Sequence, residues 1–248
     1  MTIDLQILCV KLMNHKLYIV STPIGNYDDI TLRALKTLKE VDFIICEEYK
    51  PTRRLLAQYE ITKDLISLNE HNESEVASEV IAEILSGKTA ALISDAGTPL
   101  FSDPGTILVN QAIEKNIQII PIPGASSLLA SLVGSGFELN NFYYYGWFSP
   151  KKEIRRSQLQ KLKSVNELLI VMETPYRLNA LLSDIEKTFG KNQYIVVAFK
   201  LTQNGEKFFR GTVNSIIKTI SSKEKLKGEF VLLLDNRNSN RRKGRSTL

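Results

Sequence analysis

The stretch TAALISDAGTPLFSDPG, Thr89 to Gly105, constrains the fold of this chain most. Four apolar or small residues, Ala90 to Ile93, run straight into Ser94-Asp95-Ala96-Gly97-Thr98-Pro99. A short apolar run closed by turn residues reads as a buried strand rather than a helix. The turn offers a carboxylate, hydroxyls, backbone amides and a glycine that lets another molecule come close. In open α/β sheets ligands bind outside the carboxyl ends of the strands, so this turn is a candidate ligand loop. An ordinary strand-to-helix connection also uses Gly, Pro, Asp and Ser. Two Asp and two Pro between Asp95 and Gly105 are more than a turn requires.

The same grammar recurs along the first half. Leu17 to Val20 is a strand followed by Ser21-Thr22-Pro23-Ile24-Gly25-Asn26, and a helix is expected to begin in Asp28-Asp29-Ile30-Thr31. Val41 to Cys46 leads into Glu47-Glu48-Tyr49-Lys50, with a short helix from Thr52 to Tyr59. Leu65 to Leu68 precedes Asn69-Glu70-His71-Asn72-Glu73 and an amphipathic helix from Ser74 to Leu85. A helix from Ile107 to Lys115, a strand from Ile117 to Pro121, the turn Pro123 to Ser127 and a small-residue helix to Val133 follow. Alternating strands and helices predict a mainly parallel sheet with helices on both faces.

Near Phe137 the style changes. An aromatic strand (Phe142 to Phe148), a basic helix (Lys151 to Lys163), a strand (Leu168 to Met172) and a helix (Asn179 to Phe189) precede strands at 194–199, 208–212 and 230–234. The expected fold is two α/β domains, residues 17–134 with a mainly parallel sheet and 135–235 with a mixed sheet, with a ligand cleft between them. Gly134-Ser135-Gly136 reads as a hinge. Met1 to Lys16 read as an extension, and 236–248 as a basic, disordered tail.

Composition narrows the function. The chain of 248 residues has two cysteines, Cys9 and Cys46, and two histidines, His15 and His71. Those numbers leave no histidine-rich metal site and suit a cytoplasmic protein with free thiols. Asp4, Gln6 and Lys11 break the first apolar run, which argues against a signal peptide. Residues 1–125 carry 11 Lys and Arg against 17 Asp and Glu, a net −6, whereas 126–248 carry 21 against 10, a net +11. A basic half points to a polyanionic partner, although solvated helix faces use the same residues. No GxGxxG follows the first strand, and no GxxxxGK phosphate loop or GxSxG elbow occurs.

Seven segments in order carry a resemblance: TPIGN, DITLRAL, NEHNE, SDAGTPLFSDPG, PGASS, METPYRL and KGEFVLLL. Over about residues 17–235 the chain resembles the tetrapyrrole-methylase superfamily and, within it, the small-subunit ribosomal RNA cytidine 2′-O-methyltransferases. The resemblance implies an S-adenosylmethionine enzyme, a homodimer with the cofactor in the interdomain cleft, and small-subunit ribosomal RNA or the assembled subunit as substrate. The family's cofactor positions fall on Pro23, Asp95, Ala96, Gly97, Thr98, Phe101, Ser126, Ser127, Met172 and Glu173. Two runs depart from the family pattern. Glu47-Glu48-Tyr49-Lys50 stands where Glu-Asp-Thr-Arg is usual, and Phe199-Lys200-Leu201-Thr202-Gln203 where Arg-Glu-Leu-Thr-Lys is usual.

Methyl transfer to a hydroxyl requires alignment of oxygen, methyl and sulfur and the loss of a proton. Glu47, Glu48 and His71 are the candidates for base or orienting group, and Lys50 and Lys200 for stabilising negative charge. Arg53, Arg54, Arg177, Arg210, Arg241, Arg242, Lys243 and Arg245 are the candidates for RNA contact. The aromatic run Tyr143 to Phe148 could stack bases or alternate into a core. Two other readings remain open: a small-molecule methyltransferase acting on a corrin or tetrapyrrole precursor, and a non-catalytic RNA-binding relative.

Overall fold

The structure, a computed structural model, describes residues 15–101, 103–221 and 226–237. Contacts divide the chain into two compact units, Met1–Ser126 and Ser127–Leu248.

In the first unit, five short apolar runs become β1 (Lys16–Val20), β2 (Phe43–Cys46), β3 (Asp64–Ser67), β4 (Ala90–Ile93) and β5 (Gln118–Ile122). They form one parallel sheet in the order β3-β2-β4-β1-β5. Four helices connect them: α1 (Leu32–Glu40), α2 (Tyr49–Gln58), α3 (Glu73–Leu85) and α4 (Thr106–Glu114). The connections from β1 to β2 and β2 to β3 run one way along the sheet, and those from β3 to β4 and β4 to β5 run the other. Parallel crossovers share one hand, so the two directions send their helices to opposite faces. One core accordingly joins Leu17, Phe43, Ile45 and Leu92 to Val80 and Ile84 of α3 and Leu108 and Ala112 of α4. The other joins Val20, Ile44, Ala91 and Ile93 to Ala34 and Leu38 of α1 and Leu55 and Leu56 of α2. With both faces covered, the strands read as continuous apolar runs.

The second unit holds α5 (Ser127–Ser135), β6 (Phe142–Trp147), α6 (Lys152–Leu162), β7 (Leu168–Glu173), α7 (Leu178–Phe189), β8 (Tyr194–Phe199), β9 (Lys207–Thr212), α8 (Val213–Ser221) and β10 (Phe230–Asp235). Its sheet order is β6-β7-β10-β8-β9, parallel only between β6 and β7. Leu169, Val171, Val197 and Leu232 face a core filled by α6, α7 and α8, while α5 lies against β10, β8 and β9. A buried ion network ties two of these helices. Arg155 of α6 donates from Nε and Nη2 to Asp184 Oδ2 of α7, at 2.9 and 2.7 Å, and Arg156 Nε donates to Oδ1 at 2.8 Å. Burial pushes the Asp184 carboxyl up, but the two guanidinium groups outweigh it and hold its pKa below the usual value.

Local differences from the sequence reading have simple causes. Helix α1 starts at Leu32, not near Asp28, because the Asn26 side chain accepts from Asp28 N and closes a 3-10 turn. Thr31 then caps the helix by accepting from Ala34 N. Helix α2 starts at Tyr49, ahead of Pro51, since a proline in the first turn lacks only an amide that would go unpaired. Helix α8 was not anticipated. Its β-branched content is unfavourable for a helix, yet Val213, Ile216 and Ile220 make one buried stripe. His15 and Lys16, read as extension, belong to the fold: Gln118 N donates to His15 O, and Lys16 pairs with Gln118 in the sheet. Asn236, read as the start of the tail, donates from Nδ2 to the Val165 carbonyl at 2.6 Å. The remainder of the extension and of the tail lies outside the described residues.

Candidate functional site

Three loops at the carboxyl ends of β4, β1 and β5 are stitched into one floor. Thr22 N donates to Gly97 O at 2.8 Å and Gly97 N donates back to Thr22 O at 3.1 Å. The Thr22 hydroxyl donates to Ser94 O, and the Ser94 hydroxyl to Gly97 O at 2.9 Å. Ser21 Oγ donates to Thr98 Oγ1 at 3.1 Å, and Thr98 Oγ1 to Ala125 O at 3.3 Å. Gly97 sits at φ +89, and a Cβ there would stand 3.1 Å from Ile24 Cγ2. The TPIG, DAGT and PGAS turns therefore hold one another in place.

Beside this floor, β2 and β4 are neighbours whose connections leave to opposite faces of the sheet. That is the crevice where open α/β sheets take ligands, and here it is lined with carboxylates. Glu47 and Glu48 follow β2; Asp95 and Asp103 follow β4. Burial pushes the Glu47 carboxyl up, and the charges of Asp95, Glu48 and Glu70 add to it. Asp95 is raised by burial and by Glu48, against a lowering hydrogen bond from the Glu48 backbone. Asp103 is pushed up to about 6, first by burial and then by Glu47 and Asp95. Among the described residues no ion pair neutralises any of the four. The loop carrying Asp103 is pinned by α3, whose Glu73 accepts from Gly105 N at 2.9 Å and Ile107 N at 2.7 Å. Reading the sequence missed Asp103 because Asp-Pro-Gly passes for turn chemistry. The signal was a second acid in a loop that already held Asp95.

The other candidates are dispersed. Pro23 is buried in the floor, Ala96 is exposed, and Phe101 is 53% exposed. Ser126 and Ser127 are half-buried where the first unit ends and the second begins. Lys50 is exposed in the first turn of α2. His71 stands in the exposed turn before α3, its Nε2 3.6 Å from Glu70 Oε1. Lys200, in the second unit, has φ +50 and lies over the Phe199 ring at 5.8 Å. Met172 Sδ accepts from the Tyr144 hydroxyl at 3.1 Å. Glu173 is fully buried; its Oε1 accepts from Thr174 N and Arg177 Nε, both at 2.7 Å, and its Oε2 has no partner among the described residues.

The arginines proposed for RNA fall into two kinds. Arg53, over the Tyr49 ring at 5.4 Å, and Arg54 are exposed. Arg177 is tied to Glu173, and Arg210 donates to the carbonyls of Gly134 and Ser135 while stacked 4.8 Å over Phe208. Those last two have structural work of their own. Arg241, Arg242, Lys243 and Arg245 lie outside the described residues. Among the described residues no group of three or more His, Cys, Asp or Glu could hold a metal ion, and no helix is long and apolar enough to cross a membrane.

S-Adenosylmethionine carries an ammonium and a sulfonium charge on a nucleoside. The unneutralised carboxylates beside the glycine turn suit both parts. The family described as Tetrapyrrole (Corrin/Porphyrin) Methylases matches residues 16–217. A Synechocystis protein named "Ribosomal RNA small subunit methyltransferase I" is 41% identical, over 88% of this chain and 78% of that protein. Proteins of the same name from Thermotoga maritima and Bacillus subtilis are 40% and 38% identical, over 88% and 90% of this chain and 97% and 76% of theirs. Among solved structures, Thermus thermophilus uroporphyrin-III C-methyltransferase complexed with S-adenosyl homocysteine superposes with a TM-score of 0.63 at 15% identity, covering 89% of this chain and 98% of that one. Diphthine synthase superposes with a TM-score of 0.68 at 14% identity, covering 88% of each. The chain belongs to the tetrapyrrole (corrin/porphyrin) methylase family and is a methyltransferase whose methyl donor is S-adenosylmethionine.

Proposed function

We propose that this enzyme methylates the 2′-hydroxyl of a cytidine ribose in small-subunit ribosomal RNA. The reading is that of a cytoplasmic homodimer acting on the RNA or the assembled subunit. The observation that carries the RNA substrate is the 41% identity with a protein named for small-subunit ribosomal RNA, over 88% of this chain, and the cytidine ribose follows from the motif resemblance. The net +11 of residues 126–248 suits a polyanion. The corrin and porphyrin alternative has weaker support, since cobalt precorrin-4 methyltransferase matches at 17% identity, which speaks for fold alone.

The cofactor supplies an electrophilic methyl group on a sulfonium centre. In this reading Asp95 takes the cofactor's ammonium or ribose hydroxyls, and the Thr22 to Gly97 floor fixes the height of the nucleoside. Pro23, Ala96, Thr98, Phe101, Ser126 and Ser127 line the nucleoside, and Met172 and Glu173 are the cofactor positions of the second unit. As the oxygen–methyl bond formed and the sulfur–methyl bond broke, leaving the thioether, the hydroxyl proton would pass to a carboxylate whose affinity burial has raised, Asp103 or Glu47. Glu48 and His71 orient or relay, and Lys50 and Lys200 balance the phosphates of the bound RNA. Arg53, Arg54 and the basic residues 241–245 hold its backbone.

The test is transfer of labelled methyl to small ribosomal subunits lacking the modification, followed by alkaline hydrolysis of the RNA. Label in an alkali-resistant dinucleotide beginning with cytidine is expected. Label on a base would overturn the ribose chemistry, and no label would overturn the RNA substrate.

A further inference from the structure

Strand β6 lies at one edge of the second unit's sheet, and it carries an irregularity that redirects its last aromatic side chain. Phe142, Tyr143 and Tyr144 pair with Leu168, Leu169 and Ile170. The register then shifts, so that Gly146 pairs with Val171 and Trp147 with Met172. Tyr145 is the extra residue, and Gly146 turns the chain at φ +83, a conformation that favours glycine. In a regular strand Trp147 would share a face with Tyr143, opposite to Phe142 and Tyr144. The bulge moves it to the face of Phe142, Tyr144 and Met172, and the Tyr144 to Met172 hydrogen bond confirms that these two side chains meet there.

The two faces of the sheet have different fates. The face of Leu169 and Val171 is core beneath α6 and α7, and Tyr145 and Phe148 pack against it, 4.6 Å apart. On the other face α5 lies against β10, β8 and β9, at the far side from β6. Phe142 is 40% and Trp147 is 39% exposed. Their partners in β7 are four residues apart, which puts the two rings about 13 Å from one another. A tryptophan that regular alternation would have turned to the core face is thus held out beside a second exposed ring.

We propose that Phe142 and Trp147 form a stacking platform for unstacked bases of a single-stranded RNA segment. This rests on the RNA reading above. Charge selects the occupant: β6 runs on within five residues to the exposed Lys151 and Lys152, in a half of the chain that carries net +11. A nucleic acid satisfies rings and cations together, by base stacking and phosphate contact, whereas a second copy of the chain would bring the same positive charges against themselves.

Trp147 is the single tryptophan of the chain, so its fluorescence reads the platform directly. A mixed-sequence single-stranded RNA dodecamer should quench the emission saturably, with the midpoint found by anisotropy of the labelled RNA. Trp147→Ala should weaken RNA binding about tenfold, the scale of one stacked base, whereas Trp147→Phe should keep most of it. Both variants should keep the cooperative thermal transition of the parent, which shows the fold intact. Unquenched emission with RNA bound, and full affinity in Trp147→Ala, would overturn the platform while labelled methyl still appeared in small subunits. Absence of both RNA binding and methyl transfer would bring down the RNA reading and the platform with it. Quenching that grew with protein concentration in the absence of RNA would put a second copy on this face and overturn the proposal.

Discussion

Asp95 and Asp103 differ in what their carboxylates face, and each difference can be measured. Asp95 borders the glycine turn, so its charge is the one best set to anchor a cofactor. Asp95→Ala should weaken S-adenosylmethionine binding at least tenfold by calorimetry, with the fold intact; unchanged affinity would remove Asp95 from the site. Asp103 has its pKa raised to about 6 from an ordinary 3.8. The folded protein therefore holds this proton at pH values where the unfolded chain has released it. Its contribution to stability is full below the unfolded value and is lost as pH rises through 6. Asparagine carries no such charge, so Asp103→Asn should be more stable than the parent at pH 8, by about 1 kcal/mol once solvent screening is allowed for. The advantage should vanish near pH 4, and thermal scans of the cofactor-free protein at the two pH values check it. The same acid shows what a sequence conceals. Asp95 was legible because it follows an apolar strand directly. Asp103 was not, because its importance lies in burial and in Glu47 arriving beside it from elsewhere in the chain. Arg177 and Arg210 fail the other way: as letters they are free cations, and only the fold reveals the buried carboxylate and helix carbonyls they serve.

At the scale of elements, the strands and their loops were legible because a buried parallel sheet writes itself as short apolar runs closed by turns. Helix α8 was not, since its isoleucines and valine favour strands and only the packing of Val213, Ile216 and Ile220 on the sheet decides for a helix. The helix α5 was assigned with the first domain on sequence and packs with the second unit, for a reason carried by one glycine. A Cβ on Gly134 would lie 2.1 Å from Phe208 Cζ, in hard overlap with the tip of the ring. Arg210 stacks over that ring and caps the end of α5. Gly134→Ala should therefore destabilise the protein by about 1–3 kcal/mol, as overpacking does. Phe208→Ala in the same chain should recover part of the loss, because the two sites share one contact. Additive losses in a double-mutant cycle of thermal or urea unfolding would show that the ring moves aside freely.

Over the whole molecule, charge is partitioned more finely than a count suggests. The net −6 of residues 1–125 includes the carboxylates that gather where β2 and β4 part. Of the positive side chains behind the +11, Arg155 and Arg156 are bound to Asp184, Arg177 to Glu173 and Arg237 to Asp235. Cations already neutralised within the fold release few counterions when RNA arrives, so they should add little to the salt dependence of binding. The four at 241, 242, 243 and 245 sit in a stretch without acids, from Asn236 to the end of the chain. Removing 238–248 should reduce the slope of log affinity against log salt by up to about 3, at roughly 0.7 per phosphate contact on a single strand. Arg177→Gln should leave that slope nearly unchanged and instead lower the melting temperature, because Glu173 would keep its burial and lose its counter-charge. Filter binding to small-subunit RNA between 50 and 200 mM salt, run beside thermal scans, separates the two effects. A slope that fell with Arg177→Gln and stayed constant on truncation would move the RNA contact from the chain's end to the turn after β7.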